Sequence, residues 1–301
     1  MKVTTPDIIN PILPYRTQSG LVIYPIGSWS CVYFSEEIKN AMKYDYKFEI
    51  LEGYLFEADY LFPEYIDKMF AMKSHSKKGS PMYFISKLLM NSLYGKFGIH
   101  QELPNYQILK DADDTQEVTE KIDVGNGYAL VNLEKDITNP QSNVAISSAI
   151  TACGRAYMSQ FFNSPNHPIF YTDTDSAFTT TPFPDHLVGN NLGQLALENK
   201  FSKFITLGPK FYGGITTEGK EIVKIKGFSR ESLPSYTELE ILLENGKHLM
   251  SNNKKAFKDL GLGQITLKNL DYMIKPSENK RKYLYLGDKI FATKSISIKD
   301  F

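Results

Sequence analysis

The chain has 301 residues, of which 42% are hydrophobic and 13% aromatic, enough to bury one large core or two to three smaller ones and too apolar for a disordered tail. Lys plus Arg balance Asp plus Glu at 34 each, but unevenly: from Phe201 onward 18 basic residues stand against 11 acidic ones, a bias that suits a polyanionic partner. Two cysteines, Cys31 and Cys153, exclude a disulfide framework or a zinc cluster, and no apolar run reaches the roughly 20 residues that cross a bilayer. That cysteine usage fits an intracellular, reducing compartment, and Met1 to Asp7 carries neither a secretory apolar stretch nor an Arg-rich import pattern.

The first thirty residues are rich in Pro and aromatics around a strand-like Leu21-Val22-Ile23-Tyr24. Ser35 reads as an N-cap, with Glu36 and Glu37 in the first turn of a short helix through Ile38, Ala41 and Met42. Phe48 to Leu51 and Tyr54 to Phe56 read as strands. From Pro63 the period turns helical, with Tyr65, Ile66, Met69, Phe70 and Lys73 on one stripe. After a basic connector, Ser80-Pro81 opens a second helix as N-cap and first helical residue. On it Ile85, Leu88, Leu89 and Leu93 are expected to be buried, and Lys87, Asn91, Tyr94 and Gly98 to line the opposite face. An ammonium, an amide and an aromatic ring at that spacing could meet a nucleotide; a surface helix with incidental side chains reads the same.

The polar stretch Ile99 to Asn143 reads as a surface insertion with a Gly125-Asn126-Gly127 turn, followed by a helix over Val144 to Phe162. Tyr171-Thr172-Asp173-Thr174-Asp175-Ser176 then lies between β-prone runs and predicts a hairpin with two carboxylates at its tip. Such a pair could grip a hard divalent cation, and it could equally be an ordinary acidic turn. Pro209-Lys210-Phe211-Tyr212 and Lys224-Ile225-Lys226-Gly227 follow, then a basic, aromatic-punctuated tail suited to a duplex backbone.

Lys87-x-x-x-Asn91-Ser92-x-Tyr94-Gly95, then Tyr171-x-Asp173-Thr174-Asp175-Ser176, then Lys210-x-Tyr212 and Lys224-x-Lys226-Gly227, resemble in order the motifs of family B DNA polymerases of the protein-primed branch. The resemblance covers nearly the whole chain, from about Tyr24 to the end of the Lys224–Gly227 region. It implies an α+β polymerase palm with an antiparallel sheet around the Tyr171 hairpin, divided as 1–62 N-terminal palm part, 63–98 two-helix fingers, 99–143 β-rich insertion, 144–228 palm and 229–301 small thumb.

It further implies Asp173 and Asp175 as catalytic residues holding two Mg²⁺ ions. Lys87, Asn91, Tyr94 and Gly95, with Lys73, would bind the dNTP, and Lys210, Tyr212, Lys224, Lys226 and Arg155 would contact primer or template. Partners would be primer–template DNA, dNTPs, a terminal protein and an upstream polymerase fragment, without a membrane, in a mitochondrial, plasmid- or organelle-encoded setting. The family's D-x-x-S-L-Y-P motif, with a further metal-binding Asp, and its exonuclease region have no counterpart here, so the resemblance implies a C-terminal part. The expected function is two-metal nucleotidyl transfer to a primer 3'-OH, or, as an alternative, primer–template binding by an inactive remnant. A glycosyltransferase D-x-D reading explains Asp173 and Asp175 but not the other motifs.

Overall fold

The computed structural model describes residues 1–99, 105–110, 118–133, 142–245, 249–259, 264–278 and 280–300. They form a mixed α+β structure with five α-helices and several small sheets, in two compact units. No helix among the described residues is long and apolar enough to cross a membrane.

The first unit comprises residues 1–56, 151–253 and 270–301. Its amino-terminal part is a three-stranded antiparallel sheet in the order Ser28–Ser30, Lys2–Thr4, Lys47–Glu49. Register places Val3 between Trp29 and Phe48, so alternation sends these apolar side chains to one face, where they pack with Leu13, Ala41 and Tyr46. The Trp29 indole donates to the Tyr33 hydroxyl at 2.9 Å, which donates to the Pro14 carbonyl at 2.6 Å, so the buried polar tips are paired. Helix α1 (Ser35–Met42) has Phe34 as its N-cap without a side-chain cap bond; Ser35, expected as the cap, is instead the first helical residue. The strand expected at 54–56 does not form, and Tyr54 and Leu55 are 83% and 100% exposed. Their β-propensity finds no sheet edge to satisfy the backbone groups.

In the same unit, Phe201–Gly208, Phe211–Thr216 and Glu221–Ile225 form a second antiparallel sheet. Ile205, Leu207 and Phe211 bury one face of it under Tyr236, Leu239 and Leu242 of α5 (Tyr236–Asn245). The helix seats closely because Gly213 has no side chain: a Cβ there would lie 2.5 Å from Leu239 Cδ1. At the carboxyl end a hairpin (Lys282–Leu286 with Lys289–Lys294) leads to Ile296–Ser297, which pairs in parallel with Pro25–Ile26.

The second unit comprises residues 57–150 and 254–269. Helices α2 (Pro63–His75) and α3 (Pro81–Phe97) pack as a helical hairpin, with Pro at the start of each. Ser80 caps α3 as expected, its hydroxyl accepting from the Tyr83 N–H at 3.3 Å. Phe62 stacks on Phe97 at 5.4 Å, and the Tyr65 hydroxyl donates to the Leu89 carbonyl at 3.2 Å. The expected α2 stripe is the inward one, Met69 being buried and Tyr65, Ile66, Phe70 and Lys73 partly covered.

The expected α3 face is not the buried one. Tyr83, Ser86, Met90, Leu93 and Phe97 are the covered positions, while Ile85, Leu88 and Leu89 remain exposed. An α3 that is apolar over most of its circumference lets α2 select the seam, and the one α2 faces has small Ser86 at its centre. Asn105–Lys110, Tyr128–Leu133 and Val118–Gly125, in that order, form an antiparallel sheet of the same unit, with the last of them in sequence, Tyr128–Leu133, at its centre. Asn126 and Gly127, at φ 55° and 77°, make the two-residue turn that right-twisted strands favour.

Candidate active site

The Tyr171 hairpin forms as expected, as an antiparallel ladder of Ile169–Asp173 and Ser176–Thr179 with Asp173 opposite Ser176. It is a two-stranded sheet of its own rather than the middle of a larger one. Its attachment to the 201–225 sheet is by side chains: Tyr171 and Phe178 pack against Phe204 and Tyr212, with ring centroids 4.6 to 6.5 Å apart. Tyr171 and Asp173 share one side of the strand because side chains alternate.

The tip is tight. The Asp175 N–H donates to the Asp173 carbonyl at 2.8 Å, an i→i+2 bond centred on Thr174 at φ 58°. This is a γ-turn in the left-handed region, costly for a β-branched residue. The Ser176 hydroxyl also donates to the Asp173 carbonyl, at 3.1 Å. Asp175 projects from the tip, exposed, while Asp173 is partly covered.

The covering group is Lys210. It occupies the turn between Phe201–Gly208 and Phe211–Thr216 at φ 56°, and its Nζ donates to both carboxylate oxygens of Asp173 at 2.7 Å each. Its backbone N–H donates to the Tyr171 hydroxyl at 2.8 Å, and its carbonyl accepts from the Lys226 N–H at 3.1 Å. Burial pushes the Tyr171 phenol up, with the Asp173 charge adding to it against the Lys210 N–H, and burial likewise raises that of Tyr212. Tyr212 stands opposite Lys224 in the sheet. Beyond Lys210 opens a cleft of about 760 Å³, lined among others by Lys226, Phe228, Tyr272, Lys275 and Tyr283.

Arg155, on α4 (Val144–Phe162), is bound elsewhere in this unit. Its guanidinium grips Glu37 with two bonds, 2.6 Å and 3.0 Å, and Glu37 is only 3% exposed. Burial alone would lower the Arg155 pKa, but the hydrogen bond and charge of Glu37 outweigh it and raise it. Glu37 was legible only as a first-turn acid of α1; its burial and its pairing with a residue 118 positions away carry no local signal.

In the second unit, Lys87, Asn91, Tyr94 and Gly95 lie exposed on α3. At about 100° per residue, Lys87, Asn91 and Tyr94 share one stripe beside the covered seam rather than opposite it. A Cβ at Gly95 would meet nothing within 4 Å, so this unit's own packing does not require the glycine. Lys73 lies in the last turn of α2, with its Nζ 5.4 Å from the Phe70 ring centroid.

Asp173 and Asp175 are the kind of donors a hard divalent cation takes, and Asp173 already attracts a cationic group onto both its oxygens. The carboxylate chemistry therefore fits a divalent ion, although among the described residues no three His, Cys, Asp or Glu side chains form a metal-holding group. Tyr171 gains a role that its motif position alone did not assign, as acceptor for the Lys210 N–H; the signal was its place two residues before Asp173 on the same strand face.

Comparison with known proteins gives this constellation its setting. The family described as "DNA polymerase type B, organellar and viral" matches residues 1–168. A probable DNA polymerase of Neurospora intermedia is 38% identical over 286 residues, covering 89% of this chain and 29% of that protein. Similar proteins of the same description occur in Ascobolus immersus, 32% identical over 99% of this chain, and Podospora anserina, 31% identical over 90%. The chain spans 26% of the first of these two relatives and 27% of the second. No solved structure matches it. With more than half of its length matched by the family and relatives above 30% identity over most of it, the chain belongs to the organellar and viral type B DNA polymerases.

Proposed function

We propose that this chain is the part of a type B DNA polymerase that extends a primer 3'-OH with dNTPs by Mg²⁺-dependent, two-metal nucleotidyl transfer. The observation that carries the reading is the convergence of Asp173, Lys210, Tyr171 and Tyr212 around a hairpin tip that also carries Asp175. In this reading Asp173 and Asp175 hold the ions. Bound there, the ions would activate the 3'-OH and neutralise charge on the transferred phosphate.

The chain's own side chains do the rest. Lys87, exposed on α3, and Lys73 present ammonium groups to the triphosphate, while Asn91, Tyr94 and the open surface at Gly95 meet the base pair. Lys210, Tyr212, Lys224 and Lys226 hold the primer strand through phosphate contacts, which position the strand without reading its sequence. Arg155 enters the reading through Glu37, by fixing α4 against α1. The architecture proposed is palm (1–62 and 144–228), two-helix fingers (63–98), insertion (99–143) and thumb (229–301). A terminal protein and the remainder of a longer polymerase are the proposed partners, and the family's organellar and viral description supports a mitochondrial setting.

Primer extension on a primed template with Mg²⁺ and dNTPs, comparing the chain with Asp175→Asn, tests this. Extension lost in the variant supports the assignment, and extension that persists refutes it. If neither protein extends but both bind primer–template DNA, with a log–log salt slope of about −0.9 per neutralised phosphate, the chain is a DNA-binding part of the polymerase rather than its catalytic one.

A further inference from the structure

The ion pair between Lys210 and Asp173 puts two expected functions in conflict. The ammonium read as a grip for nucleic-acid phosphate is spent on the carboxylate read as a metal ligand, with both oxygens engaged at 2.7 Å. One ammonium cannot serve both at once.

The surroundings show which part of Lys210 can move. Its backbone is fixed at three points: the left-handed φ of 56°, the N–H on the Tyr171 hydroxyl, and the carbonyl under the Lys226 N–H. Among the described residues, its side-chain ammonium is hydrogen-bonded only to Asp173. That pair is half open to water, with Lys210 48% and Asp173 33% exposed, so its net strength is the modest one of exposed pairs. Lys210 also lines the cleft with Lys226, Lys275, Tyr272 and Tyr283. Ammonium groups among aromatic rings suit a phosphate backbone with its bases. The carboxylate in the cleft, Glu278, accepts from the Tyr283 N–H at 2.9 Å and so has a partner of its own. The ammonium thus has two destinations about one anchored backbone, the Asp173 carboxylate and the cleft.

We infer that Lys210 is a built-in counter-ion of Asp173 which a divalent cation displaces, and that this displacement hands the ammonium to a nucleic-acid phosphate in the cleft. Metal and DNA then bind with positive coupling through one side chain. By thermodynamic linkage, each raises the affinity for the other by the same factor. The inference rests on the nucleotidyl-transfer reading of the hairpin.

The test uses the full chain and equilibrium binding. Mn²⁺ affinity is measured by the electron paramagnetic resonance of free ion, and affinity for a labelled primer–template is measured with and without Ca²⁺. Lys210→Gly removes the ammonium and suits the left-handed backbone, and Lys210→Arg keeps the charge. Lys210→Gly is expected to bind Mn²⁺ about two- to fivefold tighter, the factor an exposed pair supports. It should also lose the Ca²⁺-dependent gain in DNA affinity that the parent and Lys210→Arg show. Unchanged or weaker Mn²⁺ binding in Lys210→Gly, or a metal–DNA coupling that survives in it, overturns the inference. Equal Mn²⁺ binding by the parent and Asp173→Asn overturns instead the reading of the hairpin as a metal site.

Discussion

Thr174 is held at φ 58° by bonds on either side of it, and a residue kept in such a region costs on the order of 1–3 kcal/mol. A β-branched side chain gains nothing there by packing, since Thr174 is exposed. Thr174→Gly is therefore expected to raise stability by about 1 kcal/mol net of the glycine's larger unfolded-state entropy, read as a higher thermal midpoint. Primer extension should fall, because the two carboxylates lose their fixed turn. At Arg155 the balance runs the other way. Arg155→Met leaves the buried Glu37 carboxylate unpaired and should cost about 3–5 kcal/mol in denaturant unfolding. Adding Glu37→Leu should recover most of that loss, and DNA affinity per folded molecule should stay unchanged in both variants.

At the scale of elements, glycines separate what packing demands from what it does not. Gly95 sits in the last turn of α3 with open space around it, so Gly95→Ala should stabilise the helix by up to about 0.8 kcal/mol. The same change should weaken dNTP binding if a base pair passes over that surface, and a paired thermal melt and nucleotide titration separates the two effects. A Cβ at Gly214 would fall 2.5 Å from the Phe201 ring and 2.7 Å from the Lys203 carbonyl, so Gly214→Ala should destabilise by about 1–3 kcal/mol. Elements with local signals were legible in the sequence: the Ser80 cap, the Pro63 and Pro81 starts, the Asn126-Gly127 turn and the Tyr171 hairpin each rest on residues within one turn of each other. The buried seam of α3 was not, because a helix apolar over most of its circumference defers to whatever packs on it. Nor was the Lys210–Asp173 pair, which joins two turns 37 residues apart and was foreseen only as two separate roles.

At the scale of the whole molecule, the buried tyrosines set an alkaline limit. Burial pushes the phenols of Tyr46 and Tyr283 up to about 12, from an ordinary value of 10. Folded-state phenols then keep a proton that the unfolded chain gives up. Their stabilisation is complete below pH 10 and is lost as pH rises towards 12. Tyr46→Phe should flatten that fall in a pH series of unfolding midpoints. It should also lower stability at neutral pH by about 1 kcal/mol, since the Ile12 N–H loses the hydroxyl it donates to. The first unit is knit from distant parts of the chain: Ile296–Ser297 pairs with Pro25–Ile26, Arg281 Nη1 donates to the Ile9 carbonyl at 2.9 Å, and the Ser295 hydroxyl donates to the same carbonyl at 2.7 Å. On the ribosome, these contacts cannot close until residues 281–297 have left the exit tunnel. The α2–α3 hairpin and the three-stranded sheet that follows it come from one earlier stretch and can order during synthesis, so the nascent chain would carry the Pro25–Ile26 strand unpaired, as a client for chaperones, until residues 281–297 emerge.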